Sequence, residues 1–233
     1  AVNSTIMLTP ARADGLYGRW VLANALSEGL GLGLTLLLGG LAAQWLQARP
    51  GPVTIFGGAM GAVVLGVALE GVLVGRAQAW ALRARFRSLS VKDWTFATAM
   101  GAGIAWLLGV VPSTAFALLG DEQGAGVAPS EPPVLLQYGL AMLMGLVLGP
   151  ILGAAQARVL KRHVRGVRRW LWANALAWAL GMLVMFVGMD QVPWQGGRFV
   201  IVASVFGACC LAGAVVCAVH GWVLVSLQPV ARA

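Results

Sequence analysis

Apolar residues fill this chain in six long runs, and short clusters of charge, proline and glycine punctuate them. Each run is long enough to cross a hydrocarbon core of roughly 30 Å, which takes about 20 apolar residues in helical form. The pattern predicts helices over 17–47, 53–82, 94–119, 134–160, 170–189 and 199–227. Arg49, Pro50, Gly51 and Pro52 stop the first run, because proline cannot continue a helix and glycine favours the turn. Arg83, Arg85 and Arg87 end the second; Asp121, Glu122, Gly124, Gly126 and Pro129 follow the third. Lys161, Arg162 and Arg165 follow the fourth. Residues 1–16 mix Asn3, Ser4, Thr5, Pro10 and Asp14 without period and read as a leader. The apolar run after Arg19 is too long for a cleaved secretory signal, so it is expected to stay as a membrane anchor. A single transmembrane domain over 17–228 and a tail over 229–233 complete the division.

Composition agrees with this picture. Of the 233 residues, 59% are hydrophobic and 10% charged, with a mean hydropathy of +0.83, whereas soluble domains are about one quarter charged. The expected fold class is therefore all-α membrane, a bundle of six transmembrane helices with the lipid bilayer as its first partner. A net charge of +8 would suggest nucleic acid in a soluble protein, but no basic stripe with interleaved aromatics is present and none is expected to bind. The basic residues sort by side instead. Arg12, Arg19, Arg83, Arg85, Arg87, Lys92, Arg158, Lys161, Arg162, Arg165, Arg168, Arg169 and Arg232 fall at one end of the helices, only Arg49 and Arg198 at the other. By the positive-inside rule the rich side is cytoplasmic. The reading is a multi-pass inner-membrane protein with both termini in the cytoplasm and the acidic 120–133 loop outside.

The helices share internal patterns. Gly71, Gly75, Gln78 and Leu82 in the second match Gly149, Gly153, Gln156 and Leu160 in the fourth, with a degenerate copy in Gly213, Cys217, His220 and Leu224. The odd-numbered helices match as well: Trp20, Ala23, Asn24, Ala25; Trp94, Ala97, Thr98, Ala99; Trp170, Ala173, Asn174, Ala175. Three two-helix repeats arranged with pseudo-threefold symmetry would account for this, the third made from the last and first helices. Glycines four apart, as in Gly71 and Gly75 or Gly145, Gly149 and Gly153, let neighbouring backbones approach closely. Gln78, Gln156 and Asn174 fall at one depth, roughly 7–8 Å inside the basic boundary, and are expected to form a hydrogen-bonded belt. Trp20, Trp94 and Trp170 fall at the same edge, where an indole suits anchoring and packing. Cys209, Cys210 and Cys217 lack metal-ligand spacing and read as small buried apolar residues.

Glu28 and Glu70 are the only carboxylates placed within the hydrocarbon region, Arg76 joins them there, and each is a candidate functional residue by default. Residue counting puts Glu28 and Arg76 at roughly 13 and 10 Å depth, which predicts an ion pair between the first two helices. Glu70, about 240° around the helix from Arg76, is then neutral or paired elsewhere. With Asn24, Gln78, Gln156, Asn174 and His220 these form the candidate intramembrane polar site. His220 stands where the repeat has glutamine and reads as a hydrogen-bonding substitute. Haem would need a second intramembrane histidine, and His163 is in a basic loop, so no cofactor or metal is expected. Catalysis is not expected either: G-x-S-x-G, H-E-x-x-H and C-x-x-C are absent, and Asp14, Asp93, Asp121 and Asp190 lie at or beyond helix ends. Two functions remain. The bundle binds or transports a small solute or ion, with Gly149–Pro150 as a candidate kink beside the site; alternatively it is a non-catalytic accessory or scaffold subunit with other membrane subunits as partners.

Overall fold

Each apolar run forms a helix in the computed structural model of the protein, which describes residues 15–47, 51–122 and 132–230. The helices are α1 (Leu16–Gln47), α2 (Pro52–Leu82), α3 (Val91–Glu122), α4 (Val134–Leu160), α5 (Arg168–Asp190) and α6 (Arg198–Ser226). All six contain stretches long and apolar enough to cross a membrane, the make-up of a multi-pass membrane protein. The leader expected over 1–16 lies outside the described residues except Gly15 and Leu16, as do Arg49, Gly124, Gly126, Pro129, Glu131 and Arg232. Helix α3 starts earlier than the apolar pattern indicates. Ser90 caps it, its Oγ accepting the Asp93 backbone N–H at 3.2 Å, and a cap of this kind satisfies a donor the first turn leaves over.

Helix α1 inverts the pattern of a water-soluble helix. Leu22, Leu26, Leu30 and Leu34 are exposed, whereas Asn24, Ser27, Glu28 and Thr35 are buried. An exterior of leucine around a polar interior suits hydrocarbon as solvent, because every polar group must then find its partner inside.

The helices pack in chain order, each against its sequence neighbours, and α6 closes on α1. Among the described residues no helix packs against one across the ring. Glycines set the closeness of the walls. A Cβ at Gly71 would lie 2.8 Å from Ala99 Cα, and one at Gly213 2.7 Å from Glu28 Cβ. At Gly145 and Gly149 it would run into the backbone of Trp178 and Asn174.

Helix α2 departs from the regular helix expected of it: Gly66–Gly71 forms a π-helical turn. Two neighbours press on that turn. A Cβ at Gly66 would collide with the Trp106 ring, and a Cβ on Gly31 of α1 would sit 2.7 Å from Glu70 Cα. Helix α4, in contrast, continues through Pro150 as one element. The irregular turn of the bundle therefore lies in α2, at Glu70, and such turns recur at functional sites.

The end of the bundle that carries the basic residues is laced shut by its loops. Residues 228–230 run antiparallel to 163–165, with Arg165 N donating to Gln228 O at 2.9 Å and Val230 N to His163 O at 2.9 Å. Arg85 donates to Val225 O at 2.9 Å and Leu227 O at 3.2 Å. A cation there satisfies carbonyls that the last turn of α6 leaves open.

Candidate functional site

Three tryptophans plug the ring near its basic end. Trp20 of α1, Trp94 of α3 and Trp170 of α5 are fully buried. Trp20 meets Trp94 edge-on with centroids 6.4 Å apart, and Trp170 at 6.0 Å. His220 of α6 completes the stack, 5.5 Å from Trp20 and 4.9 Å from Trp170. Of the anchoring and packing expected of these indoles, the structure shows the packing: they point to the ring axis and not outward. Two of the three buried N–H groups find acceptors inside the ring. Trp94 donates to Gln78 Oε1 at 3.0 Å and Trp20 to His220 Nδ1 at 3.1 Å, while the Trp170 N–H is buried without an acceptor. An indole can only donate, so His220 Nδ1 carries no proton; Nε2 faces Cys217 Sγ at 3.6 Å.

An amide cluster sits above this plug. Gln78 Nε2 donates to Asn24 Oδ1 at 2.7 Å, and Gln156 Nε2 to Gln78 Oε1 at 2.9 Å and Thr98 Oγ1 at 3.1 Å. The Asn24 and Asn174 amides donate to the carbonyls of Trp20 and Trp170, one turn earlier, at 2.6 and 2.8 Å. Interhelical bonds of this type contribute about 0.6–2 kcal/mol each. Asn24, Gln78, Gln156, Asn174 and His220, named by the sequence, thus converge with Thr98 on one level of the ring.

Beyond the cluster the ring opens into a cavity of about 560 Å³. It runs from Gln137 and the exposed Asp190, near the end remote from the basic loops, inward to Glu28 and Glu70. Its walls are apolar, with Met144, Met182, Met185, Met189 and Phe186 prominent among them. Among the described residues no lysine or arginine lines it. Glu28 is 5% exposed, and its Oε2 is buried without a hydrogen-bond partner. Glu70 accepts the Trp106 indole N–H at 2.8 Å. Asp190 accepts the Tyr138 hydroxyl at 2.7 Å. Between cavity and plug lies a second, polar space of about 20 Å³, bordered by both glutamates and the amide cluster.

The expected Glu28–Arg76 ion pair does not form. Arg76 is exposed on the outer face of α2, while Glu28 faces the ring interior. A residue count gives depth along a helix and says nothing of direction around it. Near its basic end α2 turns Val74, Gly75 and Gln78 inward, and this leaves Arg76 outward, where a long side chain reaches the polar boundary.

Trp106, Thr98 and Asp190 were not among the candidates. Trp106 had a signal: it lies twelve residues into the bundle from Trp94, and Glu70 lies twelve from Leu82 across the same short connection. Equal counts on antiparallel neighbours mean equal depth. Comparison with known protein families, with characterised proteins and with solved structures gave no match to this chain.

Proposed function

We propose that this protein binds an amphipathic cationic solute in the cavity, with the apolar body against the methionine and leucine walls and the positive end at Glu28 and Glu70. One observation carries the reading: both intramembrane carboxylates face the same cavity, and among the described residues no basic residue lines its walls and one carboxylate oxygen has no partner. A carboxylate in hydrocarbon is costly unless something compensates it. The methionine side chains adapt to varied apolar shapes. With the basic end cytoplasmic, by the charge rule, both termini face the cytoplasm and the cavity opens to the opposite side. The Trp plug closes the path to the cytoplasm in this conformation.

The ring itself is read as three two-helix repeats. Support comes from matched contacts: an added Cβ at Gly75 would lie 3.2 Å from Thr98 Cβ and one at Gly153 3.1 Å from Asn174 Cβ, while one at Gly71 would lie 3.2 Å from Ala102 Cβ and one at Gly213 2.7 Å from Glu28 Cβ. Leu82, Leu160 and Leu224, the last residues of the three patterns, are all fully buried.

Tetraphenylphosphonium, a lipophilic cation, is the probe for equilibrium dialysis against the purified protein in detergent. Saturable binding is expected, weakened about tenfold in Glu70→Gln, the effect of losing roughly one modest charge interaction. Glutamine there still accepts the Trp106 N–H, so the fold is retained. Absence of binding, or binding indifferent to Glu70→Gln, would overturn the reading. Stoichiometric copurification of other subunits would then favour a scaffold.

A further inference from the structure

We propose that the small polar space beneath the cavity binds one dehydrated alkali cation of sodium size, and that this ion competes with the solute for Glu28 and Glu70. The competition rests on the solute reading above; the ion site does not. A space of about 20 Å³ holds one particle the size of a water molecule. Its walls offer the carboxylates of Glu28 and Glu70 together with neutral oxygens from Thr98, Gln156 and Asn174. Gln156 and Asn174 spend their amide nitrogens on Gln78, Thr98 and the Trp170 carbonyl. Their carbonyl oxygens are left as acceptors. An all-oxygen shell is what a hard cation takes.

Charge decides between an ion and a water molecule. Glu28 is buried with Oε2 unpartnered, and Glu70 borders the same space. Among the described residues no lysine or arginine lines it, and His220 Nδ1 accepts from Trp20 and carries no proton. With water in that volume the two neighbouring carboxylates would have to hold protons in this low dielectric, whereas a single cation compensates them in their ionised form. Magnesium holds its own waters too firmly for a one-particle space. The π-helical turn that carries Glu70 adds irregular backbone at the site, a feature of sodium sites in membrane bundles. Since both glutamates also border the larger cavity, a positive charge in either space weakens binding in the other. This is the arrangement an exchanger requires.

Thermal unfolding of the full chain in detergent tests the ion site, with sodium chloride replacing choline chloride at constant ionic strength. A saturable rise in Tm with sodium is expected, retained in Arg76→Met and lost in Glu28→Gln. No rise, a rise with calcium alone, or a rise that survives Glu28→Gln would overturn it. Should Glu28→Gln fail to fold, radioactive sodium binding to the unsubstituted protein remains decisive. One ion per chain, displaced by tetraphenylphosphonium, is expected; no saturable binding would overturn the site. Sodium binding without tetraphenylphosphonium binding would remove the solute reading alone, and the reverse would remove the ion site alone.

Discussion

His220 occupies the level at which α2 and α4 carry glutamine, and its task in the structure is to accept. Nδ1 takes the Trp20 N–H at 3.1 Å, as Gln78 Oε1 takes that of Trp94 at 3.0 Å. Glutamine at position 220 could accept in the same way. His220→Gln is therefore expected to change thermal stability little, whereas His220→Leu strands a buried indole donor and costs about 1–3 kcal/mol. Unfolding in detergent separates the two. An equal loss in both variants would mean that His220 acts otherwise than as an acceptor. The sequence made much of this level legible, because amides in hydrocarbon are conspicuous and recur at matched counts. It left the direction of the indoles open, since a tryptophan near a helix end suits a membrane surface as well as a ring axis. Arg76 was misjudged for a related reason: counting along a helix yields depth, and only the packing partners decide which way a side chain turns.

At the scale of the helices, small residues determine where walls meet, and not every glycine contributes. Gly149 and Gly139 lie on the same helix. A Cβ at Gly149 would enter the backbone of α5 at Asn174, but one at Gly139 would meet nothing within 4 Å. Gly149→Ala is expected to push α4 from α5 and destabilise the protein by about 1–3 kcal/mol, the usual cost of overpacking. Gly139→Ala is expected to be neutral or stabilising by up to about 1 kcal/mol, because alanine favours the helix more than glycine does. Melting curves of the two variants check this; equal behaviour would remove the close-packing account of the glycine pattern. All six helices were legible as apolar runs. The π-helical turn was not, since it answers to the Trp106 ring and to Gly31 of α1 pressing on α2, neither of which is local in sequence.

For the whole molecule, closure of the ring matters most, because an open row of helices would enclose no cavity around the two carboxylates of α1 and α2. Five of the six contacts around the ring join helices adjacent in the chain. The sixth, between α1 and α6, joins its ends, and apolar pattern alone says nothing of it; only the match of His220 and Gly213 to the internal repeats hinted that the last helix pairs with the first. A cross-link tests that contact directly. Gly33 of α1 lies opposite Cys209 of α6, where an added Cβ would stand 4.0 Å from the native Sγ and clear of other atoms by 3.8 Å or more. Cys209 is a free, buried cysteine, and that spacing needs only a small adjustment to reach disulfide geometry. Gly33→Cys is therefore expected to oxidise to a disulfide with Cys209 under a membrane-permeant oxidant. After cleavage at a protease site engineered into the 161–167 loop, the two fragments should stay joined on a denaturing gel until reduced. Gly39→Cys, placed where an added Cβ meets nothing within 4 Å, should let them separate. Fragments that part without reductant in the Gly33→Cys protein would mean that α1 and α6 are not neighbours, and the cavity built between them would fall with that contact.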